Sequence, residues 1–111
     1  MSNETVLCVA SAYKKQFYLS ENFQGLPQSI KDELKIMCVL YTEDVGGVLE
    51  LVFDEEGNLE FRASYEENDF FYDEIGSVLK IKQYQSAKRE LLEALELYYK
   101  VTFMGMDIEE V

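Results

Sequence analysis

The stretch Gly46-Gly47-Val48-Leu49-Glu50-Leu51-Val52-Phe53-Asp54-Glu55-Glu56-Gly57-Asn58-Leu59-Glu60-Phe61-Arg62-Ala63 decides the fold. Val48, Leu49, Leu51, Val52 and Phe53 are β-branched or bulky and apolar, Asp54 to Asn58 carries turn chemistry, and Leu59 to Ala63 returns. Gly57 follows two turn residues, which suits a short loop with one left-handed bulge position. In the returning strand Leu59, Phe61 and Ala63 alternate with Glu60, Arg62 and Ser64, so one face is buried and the other wet. This is an antiparallel hairpin, and the elements around it must cover its apolar face.

Working upstream, Gly46-Gly47 ends a helix, because glycine takes the left-handed terminal conformation without strain. The helix spans Pro27 to Val45, with proline at the first position, where a missing N–H costs nothing. Ile30, Leu34, Met37, Cys38, Tyr41 and Val45 share one face; Lys31, Asp32, Lys35, Val39 and Glu43 fill the opposite sector. Ile36 and Leu40 widen the apolar stripe beyond one packing contact, so the second half is either sandwiched or covered by a second subunit. Before it, Ser20 to Gly25 reads as a loop. Thr5 to Ala12 and Gln16 to Leu19 read as two strands that pair across the turn Tyr13-Lys14-Lys15.

Downstream, Asp69 to Tyr72 reads as a further strand, with Phe70 and Tyr72 on one side and Phe71 on the other. A last helix starts near Gly76, changes faces near Lys82 and carries Tyr84, Ala87, Leu91, Ala94, Leu95, Tyr98 and Val101 on one face. Residues 75–83 also fit a strand, since Leu79-Lys80-Ile81-Lys82 alternates. Tyr98 is expected in the core and Tyr99 at an edge. The order β-β-α-β-β-β-α predicts one α+β domain over residues 1–111, an antiparallel sheet of four or five strands with two helices on one face. Residues 105–111 form an acidic tail containing Asp107, Glu109 and Glu110.

Composition narrows the function. Twenty-two acidic residues against ten basic ones give a net charge of −12, which repels nucleic acid and anionic membranes and leaves basic proteins as attractive partners. Apolar residues make up 48%, including seven Phe and eight Tyr, which is enough to build a core despite the charge. The chain has no histidine, which excludes Ser-His-Asp and Cys-His mechanisms within it and removes the commonest zinc ligand. Cys8 and Cys38 form no C-x-x-C pair and sit on apolar faces, so they read as reduced, buried thiols. Met1-Ser2-Asn3-Glu4 lacks a basic segment and no apolar stretch follows, so no secretory leader is expected and the cytoplasm is the expected compartment. The longest apolar run, Ile36 to Tyr41, cannot span a bilayer.

Three constellations bear on chemistry. Asp54-Glu55-Glu56-Gly57-Asn58 resembles a calcium loop, but glycine is its fourth residue and its flanks are strands. Gly46-Gly47 and Gly76 match no phosphate-binding motif. Glu66-Glu67-Asn68-Asp69-Phe70-Phe71-Tyr72-Asp73-Glu74 places five carboxylates around three aromatics. That segment reads as a strand with solvated turns, as a partner-binding edge, or as a site where Glu66, Asp69 and Asp73 hold a divalent cation for acid–base work. The cation reading requires at least three of those oxygens to converge in a cleft.

Leu26-Pro27-Gln28-Ser29-Ile30-Lys31-Asp32-Glu33-Leu34-Lys35, Gly46-Gly47-Val48-Leu49, Asp73-Glu74-Ile75-Gly76-Ser77 and Glu90-Leu91-Leu92-Glu93-Ala94-Leu95-Glu96-Leu97-Tyr98-Tyr99 carry a resemblance. Over residues 5 to 104 the chain resembles a family of small, acidic, uncharacterised proteins from anaerobic Gram-positive gut bacteria. The resemblance implies a single cytoplasmic domain and transfers no catalytic residue. The hairpin followed by Phe-Tyr-Asp-Glu is also similar to small immunity proteins that neutralise toxins. The expectation is therefore a non-catalytic binding module without cofactor or metal, acting as a homodimer through Ile36, Leu40, Phe70, Phe71 and Tyr72. The alternatives are an immunity or regulatory protein masking a basic partner, and a carboxylate enzyme.

Overall fold

Two hairpins make one four-stranded antiparallel sheet in the order β2-β1-β3-β4. The computed structural model describes residues 3–106, so most of the acidic tail lies outside the described residues. Strand β1 (Thr5–Ser11) pairs with β2 (Gln16–Leu19) and with β3 (Val48–Phe53), which pairs with β4 (Leu59–Ser64). Cys8 stands opposite Leu19 and Leu51, and Leu51 opposite Phe61, so these alternate positions form the core face. A bulge between Val6 and Cys8 breaks the alternation, and Leu7 and Cys8 are both fully buried.

Helix α1 (Gln28–Val45) starts after Pro27, whose carbonyl accepts from Ile30 N and Lys31 N, and stops at Gly46, where φ is 91°. Its stripe of Leu34, Met37, Cys38, Tyr41 and Val45 packs into the core with the sheet. The expected hairpin turn is present: the Asp54 carboxylate accepts from Glu56 N and Asn58 N, both at 2.9 Å, and Gly57 takes φ 86°. Those bonds hold the Asp54 carboxyl below its usual pKa.

The structure corrects the sequence reading in three places. Residues 69–72 are not a strand; the chain from 65 to 73 is an irregular loop. Residues 75–83, by contrast, are helical within α2 (Glu74–Ala87), as the expected helix from near Gly76 had it and not the strand alternative. The single terminal helix is two, because α3 (Arg89–Phe103) begins after a break at Lys88. The break re-aims the chain: α2 packs on α1, whereas α3 reaches the sheet. Lys88 stitches the corner, with its N–H bonded to Tyr84 O, its carbonyl accepting from Leu92 N, and its ammonium 3.1 Å from Glu33. Finally, Tyr99 rather than Tyr98 is the buried ring. Leu91, Leu95 and Tyr99 follow strict four-residue steps, and Tyr99 stacks on Phe53 at 4.2 Å between centroids while its hydroxyl meets Thr5 Oγ1 at 2.8 Å. Phe23, in a short 3-10 turn at Glu21–Phe23 where a plain loop was expected, is fully buried against Phe53 and Phe103.

Candidate functional site

The segment following β4 is pinned from three sides. Tyr13, in the β1–β2 turn, donates its hydroxyl proton to Asp69 Oδ2 at 2.6 Å and accepts from Glu66 N at 2.9 Å. The other Asp69 oxygen accepts from Phe71 N at 3.0 Å, closing a tight local turn. Tyr65 stacks on Tyr72 at 4.3 Å and bonds through its hydroxyl to Glu74. Tyr72 turns inward, where its hydroxyl donates to Ser77 Oγ at 2.9 Å and meets Tyr41 OH at 3.1 Å. Ser77 and Tyr41 close the triangle at 2.6 Å. Three hydroxyls from α1, the loop and α2 thus satisfy one another, with Tyr41 and Ser77 buried and Tyr72 half-buried. Burial is the main cause that pushes the Tyr41 phenol well above its usual pKa.

Glycine makes room for this arrangement. A Cβ on Gly47 would lie 2.5 Å from Ser64 O and 2.6 Å from the Tyr72 ring, at φ 69°. Asp73 caps α2 by accepting from Gly76 N at 2.8 Å, and a side chain at Gly76 would collide with that carboxylate.

With Tyr72 and Ser77 directed inward and Ile81 and Tyr84 packed against the core, five other apolar residues of the loop and α2 face solvent. Phe70 and Phe71 are 89% and 96% exposed, and Ile75, Val78 and Leu79 are 76%, 53% and 62% exposed. On α1, Ile36 and Leu40 are exposed at 60% and 46%. Of the five residues expected in the contact patch, four are therefore at the surface, and Tyr72 supports the patch from within. The expected strand would have put Phe70 and Phe71 on opposite faces; the loop leaves both in solvent. Ile75, Val78 and Leu79 extend the surface beyond the sequence reading. Their signal was their spacing, which sets them on a different stripe from the core-facing residues.

The carboxylates around the aromatics are engaged locally rather than with one another. Asp69 binds Tyr13 and its own loop, Asp73 caps α2, and Glu74 meets Tyr65. Among the described residues no three acidic, histidine or cysteine side chains are grouped to hold a metal ion. A cleft of about 600 Å³ lies elsewhere, between α1 and the β1–β2 turn, lined by Lys15, Phe17, Lys35, Val39 and Thr42, with Glu43 as its one acid. Cys8 and Cys38 are fully buried, with sulfurs 3.9 Å apart and no disulfide. The hydrogen bond with Cys38, then burial, raises the Cys8 thiol well above its ordinary pKa.

A model of a family of unknown function, DUF6145, matches residues 4–107. The chain belongs to that family. The match spans the whole sheet and all three helices, so the exposed loop and α2 are parts of the DUF6145 domain. No curated protein and no solved structure matches the chain. Among the described residues no helix is long and apolar enough to cross a membrane.

Proposed function

We propose that this DUF6145 protein is a non-catalytic binding module of the cytoplasm that works as a homodimer, with residues 70–79 as its contact surface. One observation carries the reading: five large apolar residues, each more than half exposed, fall within ten consecutive positions. Burying each such side chain is worth roughly 1.5–3 kcal/mol, and contiguous exposed apolar surface marks interaction sites. The Tyr13–Asp69 clamp and the hydroxyl triangle fix the segment beforehand, which lowers the ordering entropy that association must offset. The charge of −12 disfavours nucleic acid and anionic membrane as partners.

Sedimentation velocity at micromolar concentration tests this. The native chain should sediment as a species of twice 12.9 kDa, and Phe70→Ala/Phe71→Ala should shift it to monomer with unchanged circular dichroism. A native chain that sediments as a monomer overturns the homodimer.

A second reading has one favouring observation, the rim of Glu66, Glu67, Asp69, Asp73 and Glu74 around the Phe pair, which complements a basic protein surface. An immunity or regulatory protein masking such a partner would capture it less well as salt rises. Capture indifferent to salt argues against this second reading.

A further inference from the structure

We propose, resting on the homodimer reading above, that two copies meet through α2 packed antiparallel on its twin, about a twofold axis passing between Val78 and Leu79. The helix itself motivates this. Of its fourteen residues only Ser77 is fully buried, while Ile75, Val78 and Leu79 point outward at i, i+3 and i+4. The same outward stripe continues through Lys82 and Ser86. Together with Phe70 and Phe71, the three apolar residues expose roughly 700 Å², close to the ~800 Å² each partner contributes to a standard interface.

Charge along the helix selects the orientation. Its entrance is acidic (Glu66, Glu67, Asp69, Asp73 and Glu74), and toward its exit stands Lys82; Lys88 and Arg89 beyond it are each paired within the chain, with Glu33 and Glu93. A parallel pair would set acid against acid and Lys82 against Lys82. The antiparallel pair sets the acidic entrance of each copy against Lys82 of the other, twice by symmetry. Lys82 is the key cation. Lys80 is held by Asp44 and Lys88 by Glu33, whereas Lys82 has no ion pair among the described residues. At ~1.5 Å rise per residue, an axis between 78 and 79 brings Lys82 level with the partner's Ile75 and next to its Glu74.

Cysteine cross-linking reads this geometry directly, because Cys8 and Cys38 are fully buried and contribute no surface thiol. Under mild oxidation Leu79→Cys should link to its own copy, since position 79 lies beside the axis. Ile75→Cys and Lys82→Cys should each fail alone, their self-images standing about 10 Å apart along the helix, beyond disulfide reach. Mixing the Ile75→Cys and Lys82→Cys proteins should produce the linked heterodimer. Lys82→Glu should weaken dimerisation on the order of tenfold at low salt. Efficient self-linking at both 75 and 82 means a parallel pair and overturns the proposal. A dimer that links at none of these positions also overturns it, while leaving the homodimer reading intact. A monomeric native chain removes that reading instead.

Discussion

Replacing Ser77 with alanine should lower stability by about 1.5 kcal/mol, and the figure follows from the hydroxyl triangle. Ser77 Oγ holds Tyr41 OH at 2.6 Å and Tyr72 OH at 2.9 Å. Each such bond contributes ~1 kcal/mol net, so the loss is about 2 kcal/mol. The two tyrosines retain their mutual contact at 3.1 Å, which spares them the full penalty of unpaired burial. Alanine is the better helix former and returns roughly 0.5 kcal/mol. At about 2.1 cal/mol/K per residue the unfolding entropy of this chain is roughly 0.23 kcal/mol/K, so the midpoint should fall by about 6 °C. Calorimetry or thermal circular dichroism measures it, with Gln83→Ala at an exposed position of the same helix as control. That control should leave the midpoint unchanged or slightly raised. The double variant Ser77→Ala/Tyr41→Phe should cost less than the sum of the two single changes, by at least ~0.5 kcal/mol. A Ser77→Ala midpoint within 1 °C of native, or strict additivity, would refute the claim that these hydroxyls stabilise one another.

Tyr41 adds a pH signature. Its phenol is raised in the folded state above the ordinary value of 10.0, so the stability it contributes is complete below pH 10 and declines as pH climbs through the folded value. Alkaline unfolding monitored above pH 10 should therefore begin at higher pH in Tyr41→Phe than its neutral-pH stability alone accounts for; an unmoved onset contradicts the assignment. Gly47→Ala should cost about 3 kcal/mol, because its Cβ meets Ser64 O and the Tyr72 ring at a positive φ. Chemical denaturation checks it, and a change below 1 kcal/mol would show that the Tyr72 seat is not as tight as described. A thiol reagent should find no reactive sulfur in the native protein and two after denaturation, given the burial of Cys8 and Cys38. Rapid labelling of the native chain would show that the core opens locally.

The β3–β4 hairpin and α1 were legible in the sequence because their information is local. Four-and-three spacing from Ile30 to Val45 and glycines at 46, 47 and 57 act over a few residues and agree with the packing, whereas the alternation from Leu59 to Ala63 gave the strand but not its burial: at this sheet edge Leu59 to Arg62 are all half-buried and Ala63 is exposed. The loop at 65–73 was not legible. Asp69-Phe70-Phe71-Tyr72 has the composition of a strand, but Asp69 bonds its own backbone and Tyr13 clamps it from 56 residues away. The helix break at Lys88 was hidden for a different reason. The inward positions Ser77, Ile81, Tyr84, Leu91, Leu95 and Tyr99 keep nearly continuous helical spacing across it, and no glycine or proline marks it.

By itself the sequence determined an acidic α+β chain without histidine chemistry, a hairpin sheet and a glycine-terminated helix, since each depends on side-chain type and short-range spacing. Only the tertiary structure decided which aromatics are buried and which are displayed. Tyr72 and Tyr99 are drawn inward by hydroxyl partners distant in the chain, and Phe70, Phe71, Ile75 and Leu79 are left in solvent. Sequence spacing places a residue on a face, but whether that face is covered depends on where the rest of the chain comes to lie.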